Sequence, residues 1–127
     1  MAYEYYEINP VKPNRGDCVI RAIAKIMNMS WDDTYWELCE KGYHMGDWGN
    51  SNEVWDSYLR DNGFVRKVIP NTCPDCYTIK DFCREHPNGK YIVSTGNHVV
   101  AIEFGNYFDS WDSGNECPIF YYGRRYA

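Results

Sequence analysis

The sequence Asp-Cys-Val-Ile-Arg-Ala-Ile-Ala-Lys-Ile-Met, residues 17–27, predicts an α-helix that begins near Cys18. Asp17 belongs to the residue types that cap helix N-termini. Apolar side chains cover most of the surface of this helix: Val19, Ile20, Ala22, Ile23, Ile26 and Met27. A helix that is apolar on most sides is typical of a buried position. We therefore expect this helix to lie at the centre of the fold.

Three further helices are predicted downstream. Ser30 followed by Asp33 resembles a capping box, and the helix that it opens is expected to end at Gly42. A third helix is predicted over residues 52–62, where apolar side chains recur at helical spacing. A short fourth helix is expected to start at Thr78.

The later part of the chain has short runs typical of β-strands. These runs cover residues 91–93, 98–104, 107–111 and 118–122, and a further candidate covers 64–69. Gly105-Asn106 is predicted as the turn of a hairpin. Helices followed by an antiparallel sheet indicate the α+β class, and residues 1–127 are expected to form one domain.

The composition is typical of a folded, soluble domain. The chain has 127 residues, of which 44% are hydrophobic and 17% aromatic, too many for a disordered chain. The formal net charge is −5, and the sequence has no basic stretch of the kind that nucleic-acid partners require. No apolar run approaches the ~20 residues of a membrane span. Residues 1–14 do not resemble a signal peptide. We therefore expect a cytoplasmic location, no nucleic-acid or membrane partner, and reduced cysteines.

Cys18 and His98 are the candidate nucleophile and general base of a catalytic site. A thiol attacks only as the thiolate, and the N-terminus of a helix stabilises that negative charge. A nearby imidazolium lowers the pKa of the thiol further, and the backbone N–H of Cys18 would point toward a developing oxyanion. His98 opens a predicted strand late in the chain, where its ring could serve as the general base.

The histidine needs a third group to hold its ring, and two aspartates on the next predicted strand are candidates. With Gly105-Asn106 as the turn, His98 faces Ser113, and a one-residue bulge brings Asp112 opposite His98. Asp109 then lies on the order of 10 Å from the imidazole. The predicted register therefore favours Asp112, and Asp109 remains the alternative.

These motifs resemble the papain-like cysteine peptidase superfamily. Residues 14–22 read Asn-Arg-Gly-Asp-Cys-Val-Ile-Arg-Ala, and residues 96–102 read Gly-Asn-His-Val-Val-Ala-Ile. The resemblance is closest to small bacterial and phage proteins of the peptidase C39-like kind. It implies a papain-like fold in which a Cys opens the central helix and a His lies on a strand of the antiparallel sheet. An Asp or Asn follows on the next strand, and the matching triad is Cys18, His98 and Asp112.

The resemblance also implies a cysteine hydrolase, a peptidase or amidase that acts on a peptide or protein substrate and requires no cofactor. Such enzymes commonly place a Gln before the Cys as an oxyanion donor, whereas this sequence contains no Gln. Asn14 is the only nearby amide and is the candidate donor. The segment Asp109-Ser110-Trp111 resembles the Asn-Ser-Trp of papain, which favours Asp109 over the Asp112 of the predicted register.

Two alternatives to catalysis stay open. The same scaffold is compatible with a non-catalytic module that binds a partner protein. Cys73, Cys76, Cys83 and His86 have ligand types and spacings related to those of zinc sites, although Cys83 also fits the apolar face of the fourth helix. A weaker hypothesis lets the loop over residues 42–50 fold over the site, so that His44 and Trp48 contact the substrate.

Overall fold

A computed structural model describes residues 2–11, 16–70 and 76–124 of the chain. Over these residues the chain forms four helices and six strands. The helices are α1 (Cys18–Met27), α2 (Trp31–Met45), α3 (Asn52–Asp61) and α4 (Ile79–Glu85). The strands are β1 (Tyr3–Tyr5), β2 (Phe64–Val68), β3 (Lys90–Ser94), β4 (Val99–Glu103), β5 (Asn106–Asp109) and β6 (Phe120–Arg124). The predicted α+β class is confirmed.

The strands form one mixed sheet in the order β1-β5-β4-β3-β6-β2. The predicted antiparallel pairing of the C-terminal strands is confirmed for β3 to β6, and β2 joins them antiparallel to β6. The sheet is mixed because β1, which was not predicted, pairs in parallel with β5. β5 pairs with β4 on one side only, so its other edge is available to the extended N-terminal segment. The backbone N–H of Tyr107 donates to Ala2 and that of Tyr6 donates to Asp109, which satisfies this edge.

Apolar side chains pack on both faces of the sheet. On one face, α1, α2 and α3 form a cluster with Val99 and Ala101 of β4. On the other face, α4 packs against Val100 and Ile102 of the same strand. β4 is therefore covered by helices on both faces. The expectation that α1 is a central, buried helix is confirmed, since Ile23 is 0% exposed and α1 packs directly against β4.

The second helix is longer than predicted. It continues through Gly42 to Met45 and ends at Gly46, whose φ of 72° is the left-handed conformation of a helix C-cap. Gly42 serves packing instead, because a Cβ there would lie 2.6 Å from the backbone oxygen of Asp47. The following loop can lie against α2 only because Gly42 has no side chain. The predicted starts of α2 and α4 are confirmed, with Ser30 and Thr78 as their N-caps.

The turn between β4 and β5 differs from the prediction by one residue. Glu103 pairs with Asn106, so the turn residues are Phe104 and Gly105. Both have positive φ, 52° and 78°, as a type I′ turn requires. A shift of one residue in the turn moves the cross-strand pairing by two residues, and Tyr107 lies opposite Ile102 rather than Phe104.

None of the helices in the described ranges is both long enough and apolar enough to cross a membrane.

Candidate active site

Cys18 is the first residue of α1, and the N-terminal end of this helix lies against the start of β4. The thiol is half-buried. It lies next to the side chain of His98 and the backbone N–H of Val99, and both lower the pKa of the thiol. The first backbone N–H groups of an α-helix have no partner within the helix, so they present a positive electrostatic end to this sulfur.

His98 immediately precedes β4 and lies between a thiol and a carboxylate. Its Nε2 is 2.6 Å from Oδ2 of Asp109. Because Nε2 is hydrogen-bonded to Asp109, Nδ1 is the ring nitrogen that can interact with the Cys18 thiol. The side chain of His98 is 15% exposed. The ring of Trp111 lies 5.0 Å from the imidazole, centroid to centroid, and covers part of it. The three side chains therefore follow in the order Cys18, His98, Asp109.

Asp109 is the last residue of β5, and its carboxylate is 1% exposed. Oδ2 accepts from His98 and also from the hydroxyl of Ser113 at 2.6 Å. Oδ1 accepts the backbone N–H of Ser110 at 2.8 Å and a guanidinium N–H of Arg21 at 3.2 Å. Four donors therefore hold this buried carboxylate in one orientation.

The prediction that Asp112 orients His98 was wrong. Asp112 accepts the hydroxyl of Tyr107 at 2.6 Å and the backbone N–H of Gly114 at 3.1 Å, and its carboxylate caps the turn after β5. The error arises from the predicted position of the turn between β4 and β5. Because the turn is Phe104-Gly105, continuation of the observed pairing places Asp109 two residues nearer to His98 than predicted, and Trp111 lies across from His98. The segment Asp109-Ser110-Trp111, noted in the sequence, gave the better signal.

The electrostatics of the three residues are coupled. Burial raises the pKa of Cys18, but hydrogen bonds from His98 and from the Val99 N–H, together with the positive charges of His98 and Arg21, hold it below its ordinary value. Burial lowers the pKa of His98, but its hydrogen bonds to Asp109 and Cys18 raise it to about 9. Burial raises the pKa of Asp109, but hydrogen bonds from His98 and Ser113 hold it below the usual range. These directions favour a thiolate–imidazolium pair beside an ionised carboxylate.

Arg21 lies one turn after Cys18 and is 4% exposed. Its guanidinium contacts Asp109 at 3.2 Å, Asp17 at 2.5 Å and Glu7 at 3.6 Å. Asp17 does occupy the N-cap position of α1, but its carboxylate makes no capping hydrogen bond, because it binds Arg21 instead. Arg21 thereby joins the N-terminal segment, α1 and β5 behind the catalytic candidates.

A cavity of about 440 Å³ opens beside the residues that precede Cys18. Gly16 and Asp17 form one wall, and the N-terminal half of α2 forms another. Trp31 and Tyr35 of α2 are stacked at 5.2 Å, and Trp48 from the loop after α2 completes the aromatic lining. We refer to this cavity as the aromatic pocket.

Three further predictions from the sequence concern Asn14, Trp48 and His44. Asn14, the candidate oxyanion donor, lies outside the described residues. Trp48 lines the aromatic pocket, and its contact with a substrate stays a prediction. His44 instead lies on α2, exposed, with its ring against Tyr43.

Three residues of the zinc alternative, Cys76, Cys83 and His86, lie in the described part of the chain, and there they do not form a metal-binding cluster. Cys83 lies on the buried face of α4 and is 1% exposed, and burial raises the pKa of its thiol to about 11. The ring of His86 stacks on that of Phe82, with the two centroids 3.8 Å apart. His86 Nδ1 is hydrogen-bonded to the backbone carbonyl oxygen of Phe82. Within residues 2–11, 16–70 and 76–124, no three His, Cys, Asp or Glu side chains are arranged to hold a metal ion. Cys73 lies outside these ranges.

Sequence reasoning missed two contributors to the site. Arg21 could have been identified from the sequence, because it is the sole arginine on a largely apolar helix and lies four residues after Asp17. Ser113 gave no local signal, since its role depends on the chain turning back after β5 so that its hydroxyl reaches Asp109.

Comparison of this chain with protein-family models, with curated proteins and with solved structures finds no match in any of the three.

Proposed function

We propose that this chain is a cysteine hydrolase, a peptidase or amidase that uses Cys18, His98 and Asp109 on a papain-like scaffold. One observation carries the proposal: the imidazole before β4 lies between the thiol at the start of α1, whose pKa it lowers, and the buried carboxylate at the end of β5, to which its Nε2 is hydrogen-bonded. A thiol held at a helix N-terminus beside an imidazolium has the environment of a nucleophile, whereas an ordinary core cysteine has a raised pKa. Cys83 provides that contrast within the same chain.

The chemistry follows from these positions. The Cys18 thiolate attacks an amide carbonyl carbon, so that an S–C bond forms and the carbonyl π electrons move to oxygen. When that pair returns, the C–N bond breaks and the departing nitrogen takes the proton of His98. Neutral His98 then removes a proton from water as its oxygen attacks the thioester. The C–S bond breaks, and the acid product leaves with the thiolate and imidazolium restored.

Asp109 keeps the imidazole oriented through both proton transfers and stabilises its charged form. The backbone N–H of Cys18 is the proposed oxyanion donor, because it lies at the N-terminus of α1. The side chain of Asn14 is the proposed second donor.

Turnover of p-nitrophenyl acetate tests the proposal. We expect release of more than one p-nitrophenolate per chain, with an acetyl group found on Cys18 by mass spectrometry during turnover. Cys18→Ser should abolish turnover, because the serine hydroxyl is not ionised at neutral pH. Cys39→Ser is the matched control, since Cys39 is also half-buried but lies on α2, and this variant should turn over normally.

Acylation of all accessible cysteines at comparable rates, without turnover, would contradict the proposal. That result would favour the non-catalytic binding module on the same scaffold.

A further inference from the structure

The main chain of Asp109 is paired with the N-terminal strand β1. The register of β4 with β5 ends where Ala101 lies opposite Phe108. The next residue of β5 is Asp109, and it lies opposite Tyr5 of β1. The last residue of β5, which carries the buried carboxylate of the site, is therefore held in the sheet by a segment from the N-terminal part of the sequence.

Two donors of this segment converge on the backbone carbonyl oxygen of Asp109. The backbone N–H of Tyr6 donates to this oxygen at 2.8 Å, and the hydroxyl of Tyr3 donates to it at 3.1 Å. A carbonyl oxygen has two lone pairs, so these two donors use its full capacity. The ring of Tyr3 packs against that of Tyr107 on β5, with the centroids 5.6 Å apart, which helps to hold the hydroxyl in place.

The same peptide unit also orients the carboxylate. The backbone N–H of Ser110 belongs to the peptide bond that carries the carbonyl oxygen of Asp109, and it donates to Oδ1 of Asp109 at 2.8 Å. A peptide unit is planar, so the directions of its C=O and N–H groups are coupled. The donors from the N-terminal segment thereby set the direction of the N–H that holds Oδ1, while Oδ2 lies 2.6 Å from Nε2 of His98.

A second connection from this segment to the carboxylate passes through Arg21. Glu7, two residues after β1, lies 3.6 Å from the guanidinium, and the guanidinium lies 3.2 Å from Oδ1 of Asp109. The side chains of all three residues are at most 5% exposed. The segment over residues 3–7 therefore contacts the main chain of Asp109 directly and its carboxylate through one intervening side chain.

β1 is the part of this arrangement that can be released most easily. It has three residues and forms one edge of the sheet, and Tyr5 is 67% exposed. Short elements with few buried contacts open at a lower free-energy cost than the core of a domain. Opening of β1 would remove both donors from the carbonyl oxygen of Asp109 while the helices and the central strands stay folded.

We propose that residues 3–7 are a positioning element of the active site: Tyr3 and Tyr6 hold the main chain of Asp109 so that its carboxylate orients the imidazole, and Cys18 is fully reactive only while β1 is paired with β5. This inference rests on the proposed hydrolase function and names a control on its site. Neither tyrosine contacts the reacting atoms, since both act through Asp109.

Tyr3→Phe tests the hydroxyl, and Tyr5→Phe is the matched control on the same strand. Tyr3→Phe removes only the oxygen that donates to Asp109. The rate constant of iodoacetamide at Cys18 near pH 6 should then fall at least about threefold, as the loss of one hydrogen bond predicts. NMR titration should show a lower pKa of His98, because a misaligned carboxylate stabilises the imidazolium less. Tyr5→Phe should keep both native values.

Tyr6→Pro tests the main-chain donor, and Tyr6→Ala is its control. Proline has no N–H, and both variants lose the tyrosine ring, so their difference reports the hydrogen bond to Asp109. Tyr6→Pro should lower the rate constant at Cys18 at least about threefold further than Tyr6→Ala. Urea unfolding accompanies these measurements. A loss of stability with native values of the Cys18 rate constant and the pKa of His98 would overturn the positioning role and leave β1 a structural strand.

Turnover of p-nitrophenyl acetate separates this inference from the proposed function. If native protein turns over the ester and both Tyr3→Phe and Tyr6→Pro do so at the native rate, the positioning role is overturned and the hydrolase proposal stands. If native protein does not turn over the ester, but Tyr3→Phe lowers the pKa of His98 and Tyr5→Phe does not, the positioning role is supported and the hydrolase proposal fails.

Discussion

At the scale of single residues, the buried carboxylate of Asp109 determines the behaviour of the site. It accepts from the imidazole of His98, from the Ser113 hydroxyl, from the Ser110 N–H and from Arg21. A carboxylate with four donors stays ionised and does not rotate, and it therefore keeps His98 charged and correctly oriented. Asp112, three residues later, is exposed and bonded to Tyr107, so the two aspartates form a natural pair for comparison.

Asp109→Asn should lower the pKa of His98 from about 9 by more than about one unit, because the negative charge that stabilises the imidazolium is lost. Asp112→Asn should leave the pKa of His98 within about 0.3 units of the native value, since Asp112 does not contact the ring. NMR titration of the His98 ring signals, assigned through their loss in His98→Ala, measures both. Equal effects of the two substitutions would show that Asp109 is not the orienting group.

The pH dependence of Cys18 alkylation should have two steps. As pH rises, the rate first increases when the thiol ionises at its lowered pKa, and it then stays level while the thiolate is paired with the imidazolium. A second rise is expected near pH 9, where His98 loses its proton and its hydrogen bond no longer restrains the sulfur. Denatured protein should show one step near the ordinary thiol pKa of about 8.5. Iodoacetamide rates between pH 5 and 10 measure both profiles, and a single step near 8.5 in native protein would contradict the ion pair.

Cys18 and His98 could be predicted from the sequence because each occurs at the start of an element whose apolar pattern is clear. The acid could not be selected by register, because the choice between Asp109 and Asp112 depended on one turn residue. The sequence Gly105-Asn106 has two residues that tolerate positive φ, whereas the observed turn uses Phe104, which is bulky and seldom adopts φ of 52°. Local preference therefore indicated the wrong pair of turn residues.

At the scale of elements, the β4–β5 hairpin sets the position of the acid. Its strands pair from Glu103–Asn106 to Ala101–Phe108, and β1 holds the outer edge of β5. This edge pairing was not predicted, because three residues of a strand carry too weak a pattern to identify a parallel partner. The helices were better predicted, since caps such as Ser30 and Thr78 act locally.

Phe104→Asn should stabilise the protein by about 0.5–1 kcal/mol, because Asn-Gly is the preferred type I′ turn and Asn tolerates the left-handed conformation. Phe104 is 58% exposed, so little buried apolar area is lost. Phe104→Val should have the opposite sign, since a β-branched residue is more strained at positive φ. Urea unfolding measures both. A stabilising Val variant, or a clearly destabilising Asn variant, would contradict the observed turn.

At the scale of the whole molecule, one buried guanidinium ties distant parts of the chain together. The Arg21 guanidinium forms ion pairs with Asp17 at the N-cap of α1, with Asp109 on β5 and with Glu7 in the segment after β1. The N-terminal strand, the central helix and the outer half of the sheet therefore meet at one charged centre, directly behind the proposed triad. Removal of its cation would leave buried carboxylates without compensation.

Arg21→Met should lower the free energy of unfolding by about 3–5 kcal/mol, the range measured when one partner of a buried ion pair is removed. Lys25→Met is the control on the same helix. The Lys25 side chain is 27% exposed, and its Nζ is 3.8 Å from Glu103, so its loss should cost less than about 1 kcal/mol. Urea unfolding at neutral pH compares the two. Similar losses for both variants would mean that the Arg21 cluster adds no specific stability.

Selective labelling tests the proposal that Cys18 is a thiolate stabilised by His98. Native protein, His98→Ala and denatured protein would receive a limiting pulse of iodoacetamide near pH 6, followed by peptide mapping of all six cysteines. An ordinary thiol with pKa of about 8.5 is almost wholly protonated at that pH and reacts slowly. We expect Cys18 alone to label rapidly in native protein, and we expect this advantage to disappear in His98→Ala. Labelling of native Cys18 no faster than in denatured protein would contradict it.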